Sequence, residues 1–309
     1  MSILVICNNK DPEPWCVSLQ KKLPDVSISI FPEIKNKDSV EFAICWKPEN
    51  NVLRKFPNIK AIQSLGASVE HIFETNLIDT KIQVSRIVDP QLSVDMFEFL
   101  LAITLNQLKN LHIYNNQNSE KIWEQHSYQS IKSTTVSILG LGKIGAHVAS
   151  NFLRTGFIVQ GWALPEIDIP EVKIFSGKGG LKNMMAVTDV LINILPLTNE
   201  TRGILNKNNL QNLKKGAFLI NVGRGPHLVN EDLVYLLNNN HISGASIDVF
   251  DEEPLPLDHM FWNNPKIHIT PHVASLTNIN TAVDQIVQNY IRLKESKPLL
   301  NLVSHEKGF

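Results

Sequence analysis

Val136-Ser137-Ile138-Leu139-Gly140-Leu141-Gly142-Lys143-Ile144-Gly145-Ala146-His147-Val148-Ala149 is the stretch that decides how this chain folds. Val136 to Leu139 are apolar or small, as a buried strand requires. Gly140, Gly142 and Gly145 follow in the spacing G-x-G-x-x-G. From Ile144 the apolar period turns helical, with Val148, Phe152 and Leu153 on one face. Each glycine has its own task where a strand hands over to a helix around a dinucleotide. Gly140 permits the tight turn, Gly142 lets the backbone approach a pyrophosphate, and Gly145 lets the helix pack close. The pyrophosphate rests on the helix N-terminus, where unpaired N–H groups and the dipole favour negative charge. Gly140, Leu141, Gly142, Lys143, Ile144 and Gly145 are therefore the expected cofactor cradle. Three glycines alone would mark only a turn; the strand before and the helix after make the signal specific.

Outward from this turn, strands and helices alternate in both directions. On the C-terminal side, strands are expected at Ile158–Trp162, Val172–Phe175, Val190–Leu195, Ala217–Val222 and Gly244–Val249, with a further one at Ile267–Thr270. Asn230 reads as an N-cap, with Glu231 and Asp232 in the first turn of a helix. Thr281–Leu293 reads as an amphipathic helix stopped by Pro298. On the N-terminal side, strands are expected at Ile3–Cys7, Val26–Phe31, Phe42–Trp46 and Ile59–Leu65. Helices are expected at Val17–Leu23 and Val52–Phe56. Ile59–Leu65 runs into Gly66-Ala67-Ser68-Val69, a small-residue loop that opens another helix. Asp95–His112 reads as one long helix, and Asn115–Ser133 as an irregular polar connection. Strands separated by helix-length connections imply parallel sheets, and 309 residues are comfortable for two domains.

Composition excludes several classes. Net charge is −1 and no Lys/Arg stripe stands out, so neither nucleic acid nor a membrane surface is an expected partner. No apolar run approaches membrane-span length, and the start of the chain goes straight into a strand pattern, so the cytoplasm is the expected location. Cys7, Cys16 and Cys45 fit reduced thiols better than a disulfide framework. Nine of the ten histidines, His227 among them, show no metal-ligand spacing and receive no role; no metal is expected.

Three further stretches carry a resemblance. The first is Asp189-Val190-Leu191-Ile192-Asn193-Ile194-Leu195-Pro196-Leu197-Thr198 with Thr201-Arg202-Gly203. The second is Lys215-Gly216-Ala217-Phe218-Leu219-Ile220-Asn221-Val222-Gly223-Arg224-Gly225. The third runs from Asp248-Val249-Phe250 through Glu253-Pro254-Leu255-Pro256 to Thr270-Pro271-His272. Together with the glycine turn, and in this order, they resemble the D-2-hydroxyacid dehydrogenase family. Trp46-Lys47-Pro48, Ser64-Leu65-Gly66-Ala67 and the tail Lys307-Gly308-Phe309 resemble its glyoxylate/hydroxypyruvate reductase branch. The resemblance implies two doubly wound α/β parallel-sheet domains, a Rossmann NAD(P)-binding domain inserted into a flavodoxin-like substrate domain. Residues 1–103 would form the first part of the substrate domain, 104–280 the Rossmann domain, and 281–309 a helix returning to the first. The active site is expected in the cleft between them.

The resemblance also implies catalytic roles for Arg224, Glu253 and His272, and the chemistry asks for those residue types. Reducing a 2-oxo acid needs a hydride at the carbonyl carbon and a proton at its oxygen. Imidazole suits the proton, since it titrates near neutral pH. Glu253 would orient the ring, and Arg224 would fork onto the substrate carboxylate and carbonyl. Gly66 and Ala67 would offer backbone N–H groups to the carboxylate, with Trp46 either lining the pocket or sitting in the core. Leu195, Pro196, Thr201, Val222, Gly223 and Asp248 join the cofactor set by the same resemblance. A homodimer acting on a small 2-oxo acid is implied. Another substrate of the same class, or a non-catalytic dinucleotide sensor, remains an alternative.

One stretch departs from the pattern. The reductases of this branch carry Ser/Arg pairs after the second-strand tryptophan and prefer NADP. Here Trp162 is followed by Ala163-Leu164-Pro165-Glu166-Ile167-Asp168, with no basic residue. Glu166 and Asp168 would repel a 2′-phosphate if they pointed inward. Ser176-Gly177-Lys178-Gly179-Gly180 offers a lysine nearby, in what reads as an ordinary turn. NADP and NAD both stay open.

Overall fold

The apolar runs form two sheets in which every ladder between named strands is parallel. The structure is a computed structural model that describes residues 1–8, 10–73, 81–164 and 167–305. The chain divides into two units, Met1–Gln91 with Thr277–Phe309, and Leu92–Leu276. Each is described by itself.

The first unit holds β1 (Ser2–Cys7), β2 (Ile28–Ile30), β3 (Val40–Trp46), β4 (Ala61–Ser64) and β5 (Gln83–Ser85), in the order β2-β1-β3-β4-β5. This is the flavodoxin-like order. Leu4, Ile6, Ala43, Cys45, Ile62 and Val84 make one buried face with Val52, Phe56, Val69 and Ile72. The helix Ile279–Lys294 belongs to this unit, and its Tyr290 meets Phe42 edge-on at 5.9 Å between ring centroids. Its Asn289 is fully buried and spends its amide on Gln63 Oε1 (2.7 Å) and the Leu300 N–H (2.7 Å), so a polar residue in the helix face is satisfied.

The second unit holds β6 (Thr135–Leu139), β7 (Ile158–Trp162), β8 (Lys173–Phe175), β9 (Val190–Asn193), β10 (Ala217–Asn221), β11 (Ile242–Ile247) and β12 (Ile267–Ile269). Their order, β12-β11-β10-β9-β6-β7-β8, is the Rossmann order extended by one strand, with its switch point between β6 and β9. Alternation along the strands separates two cores. Leu191 and Leu219 face the helices Gly177–Met185 and Asn230–Asn238, whereas Val190, Ile192, Phe218 and Ile220 face Pro90–Leu108 and Lys143–Thr155.

Several expectations need correction. The long helix is two, Pro90–Leu108 and Leu111–Glu120, broken where Asn110 takes a left-handed conformation (φ 59°), which asparagine tolerates better than most residues. The second helix occupies the start of the stretch read as irregular. Ser176–Gly180 is not an ordinary turn but the start of the helix Gly177–Met185. Glycine disfavours helix, yet burying Leu181, Met184 and Met185 outweighs propensity. Val52–Phe56 contains only the short 3₁₀ helix Leu53–Lys55. Asn230 is the first helical residue, not the cap. Strand β5 had no expectation attached; its three residues are too few for a readable alternation. The tail motif at 307–309 lies outside the described residues.

Candidate active site

The glycine turn fits the tasks assigned to it. Gly140 has φ +96°, and a side chain there would meet the Ile194–Leu195 backbone of the β9 end at 3.0 Å. A Cβ on Gly145 would lie 1.9 Å from the Gly140 carbonyl oxygen, so the helix start can approach only as glycine. Gly142 caps the helix Lys143–Thr155 without a side-chain bond, and a Cβ there would meet nothing within 4 Å. Gly142 and Lys143 are exposed at this helix start, at the switch point, and the first N–H groups of a helix have no partner within it, the donor set that a dinucleotide pyrophosphate requires. Leu141 turns inward instead, buried at 3% exposure.

The strand ends of the same unit bring the three polar candidates together. His272 Nδ1 lies 3.0 and 3.1 Å from the two carboxylate oxygens of Glu253. Glu253 Oε1 also accepts the Phe250 N–H at 3.1 Å, which ties the loop to itself. Arg224 is half-buried in the turn after β10, its Nη1 donating to the Gly223 carbonyl. Gly225 locks the turn of Arg224 onto the loop of Glu253. A Cβ on Gly225 would fall 2.0 Å from the Phe250 carbonyl carbon and 2.2 Å from the Asp251 nitrogen, both backbone atoms.

His272 itself has φ +55°, an unusual conformation for a residue with a side chain. Asp248, 1% exposed at the end of β11, holds it there. Its carbonyl accepts the His272 N–H at 2.9 Å. Its Oδ1 accepts from the Thr270 hydroxyl (2.6 Å) and the Val273 N–H (2.9 Å), and its Oδ2 from the Ala274 N–H (3.0 Å). The Asp248 carboxylate, expected at the cofactor, thus holds the histidine loop. Thr201 is a second loop-holding residue of that kind. It is 1% exposed, its hydroxyl donating to Pro196 O (2.8 Å) and accepting from the Thr198 N–H (2.8 Å), so it shapes the loop after β9. Leu195, Val222 and Gly223 are buried beside these strand ends, and Pro196 is exposed.

In the first unit Trp46, Gly66 and Ala67 also come together. Trp46 is half-buried, and a Cβ on Gly66 would reach 2.7 Å from its ring. The Gly66 N–H donates to Ser64 Oγ at 3.2 Å, and Arg86, missed by sequence reasoning, puts Nη1 3.4 Å from the Ala67 carbonyl. Burial pushes the Cys7 and Cys16 thiols up to about 11, so both stay protonated near neutral pH.

At the second-strand end, Trp162 is buried and donates from Nε1 to the Gly177 carbonyl at 2.9 Å, while Leu164 is 57% exposed. Glu166 lies outside the described residues. Three buried polar residues, Asn193, Asn221 and His227, had no expectation attached. Their signal was present: each stands inside or two residues beyond a quoted motif, in a run otherwise apolar enough to be core.

Comparison with known proteins places this geometry. The profile of the D-isomer specific 2-hydroxyacid dehydrogenase NAD binding domain matches residues 101–274. The glyoxylate/hydroxypyruvate reductase A of Photorhabdus laumondii is 34% identical over 304 residues, covering 97% of both chains; that of Yersinia enterocolitica is 31% identical with the same coverage. Among solved structures, a D-isomer specific 2-hydroxyacid dehydrogenase from Xanthobacter autotrophicus Py2 in complex with NADPH and MES superposes with a TM-score of 0.93 at 31% identity, covering 100% of this chain and 99% of that one. The NADPH-dependent glyoxylate/hydroxypyruvate reductase of Sinorhizobium meliloti, in complex with NADP and sulfate, gives 0.92 at 27% identity over the whole of both chains. With the profile spanning more than half its length and relatives matching nearly end to end, the chain belongs to the D-isomer specific 2-hydroxyacid dehydrogenase family.

Proposed function

We propose that the protein reduces small 2-oxo acids, glyoxylate to glycolate and hydroxypyruvate to D-glycerate, with NADPH or NADH as reductant. The observation that carries this reading is the His272–Glu253 pair, held in one unit with the glycine turn and one loop contact away from Arg224. The reductase A relatives favour these substrates.

A bound reduced nicotinamide would supply the hydride for the carbonyl carbon. The protein's residues do the rest. Glu253 engages Nδ1 of His272 and leaves Nε2 as the atom that delivers a proton to the carbonyl oxygen as charge develops there. Asp248 keeps the ring in place by fixing the backbone on both sides of it. Arg224 grips the carboxylate through its planar fork and polarises the carbonyl. Gly142, Lys143 and Ile144 hold the pyrophosphate with backbone N–H groups.

The working form is a homodimer. Leu111, Ile122, Trp123 (97% exposed) and Tyr128 give the second unit an apolar surface that a second copy would cover. The three free thiols suit a reducing compartment, the cytoplasm. Among the described residues, no helix is long and apolar enough to cross a membrane.

The test is oxidation of NADPH and of NADH with glyoxylate, hydroxypyruvate and pyruvate. Saturable turnover with the first two is expected, faster than with pyruvate. Absence of turnover with all three overturns the reading.

A further inference from the structure

His227 is fully buried between two loops, with an arrangement of partners that only one form of its ring can satisfy. On one side, Nδ1 stands 3.0 Å from the Arg224 backbone nitrogen and 3.0 Å from Asn193 Nδ2. Both are obligate donors, so Nδ1 carries a lone pair and no proton. On the other side, Nε2 stands 3.2 Å from the Pro196 carbonyl oxygen, an obligate acceptor, so Nε2 carries the proton. An imidazolium would press an N–H against two donors. The ring is the neutral Nε2–H tautomer.

What this ring holds is the Arg224 turn. Asn193 and Asn221, paired across β9 and β10 and both fully buried, complete the grip. Asn193 Nδ2 donates to Asn221 Oδ1 at 2.9 Å, Asn221 Oδ1 accepts the Gly223 N–H at 3.3 Å, and Asn221 Nδ2 donates to the Arg224 carbonyl at 3.3 Å. Both backbone polar groups of Arg224 therefore end on buried side chains, while its guanidinium stays on the half-exposed side. At its far edge the same ring meets Pro196, in the loop after β9.

We propose that His227 is the positioning residue that sets Arg224 for the substrate, and that through Pro196 it couples the arginine turn to the cofactor loop. This rests on the reading of Arg224 as the carboxylate clamp. An apolar side chain of similar size would fill the space but hold neither loop, and would leave the Arg224 and Asn193 donors unpaired.

Two variants separate the edges of the ring. In His227→Asn the side-chain oxygen takes the place of Nδ1 and keeps the acceptor for Arg224, losing the donor to Pro196. In His227→Gln the amide reaches the place of Nε2 and keeps that donor, losing the acceptor. For His227→Gln we expect KM for glyoxylate to rise about tenfold or more, both hydrogen bonds to Nδ1 being lost, with NADPH affinity within about twofold of wild type. For His227→Asn we expect the reverse: near-normal KM for glyoxylate and NADPH affinity weakened about threefold or more. Equal effects of the two variants on both constants, or none in folded proteins, overturn the proposal. The nitrogen NMR spectrum of histidine-labelled wild type needs no variant and no turnover. It should show His227 with a bare Nδ1 and a protonated Nε2 throughout the neutral range, and a proton on Nδ1 overturns the proposal even if every 2-oxo acid fails as substrate. Failure of all substrates with the expected spectrum removes the clamp reading alone.

Discussion

The loop after β6 and the loop after β4 are both small-residue turns that lead into a helix, and they use glycine in opposite ways. Behind Gly142 the turn is rigid, because Gly140 and Gly145 touch backbone, while in front of Gly142 there is open space. At Gly66 the space is taken by the half-buried ring of Trp46, and the N–H already meets Ser64 Oγ. At one glycine the space stays open, and at the other a side chain fills it. The same residue letter therefore carries different information in the two units, and only its neighbours tell which.

A second contrast follows. In the seven-stranded unit the polar site groups are set by buried side chains that hold backbone: Asp248 for the His272 loop, and Asn193, Asn221 and His227 for the Arg224 turn. In the five-stranded unit the loop of Gly66 and Ala67 is set by ring packing and by Arg86. Substitutions in the second unit should therefore fall on turnover and ligand affinity, and those in the first on packing.

The largest effect is expected at His272. His272→Ala should lower turnover by about 10²-fold or more, the usual scale for losing a general acid, with cofactor affinity kept because Asp248 holds the loop by backbone. Near-normal turnover in the folded variant would remove His272 from the proton path. Next is Arg224→Lys, which keeps charge but loses the fork. KM for glyoxylate should rise about tenfold or more and kcat should fall as well, since the substrate is held loosely and misaligned. A variant matching wild type in both constants would mean that another group grips the carboxylate.

One substitution made at two places sharpens the comparison of loops. Gly142→Ala adds a Cβ in open space at an extended backbone (φ −66°, ψ −167°), so thermal stability should stay within about 0.5 kcal/mol while NADPH affinity falls about tenfold. Gly66→Ala forces the Trp46 ring to move, with an expected loss of about 1–3 kcal/mol and a changed tryptophan emission, and cofactor affinity should be unaffected. Denaturation and cofactor titration on both variants decide it; the contrast is wrong if the two losses exchange places.

How far the sequence could be read follows the same physics. The glycine turn and the buried strands were legible, because each is a short-range pattern whose cause lies within a few residues. Asn110 was not, since a left-handed residue inside an apolar period leaves the period intact. Gly177–Met185 was not, since its helix depends on burying Leu181, Met184 and Met185 against strands distant in the chain. The loop-holding bonds of Asp248, Thr201 and His227 were not legible for one reason: a polar residue in a motif looks the same whether it touches a ligand or holds a loop. Only the partners of their atoms distinguish the two.

The last effect concerns cofactor choice. Leu164 is exposed just beyond the buried end of β7, where Leu164→Arg could meet a 2′-phosphate. With no arginine there, discrimination for NADPH over NADH should be weaker than in the related reductases. Leu164→Arg should move kcat/KM toward NADPH by about tenfold. Strong NADPH preference in the wild type, unchanged by the arginine, would assign the phosphate to another residue, with Lys178 at the start of the neighbouring helix tested next.

The most direct test of the whole account is the product made from hydroxypyruvate. Purified wild-type protein, given hydroxypyruvate and NADPH, should form D-glycerate with one NADPH oxidised per molecule of product. L-glycerate, a mixture of both hands, or no NADPH oxidation would contradict it.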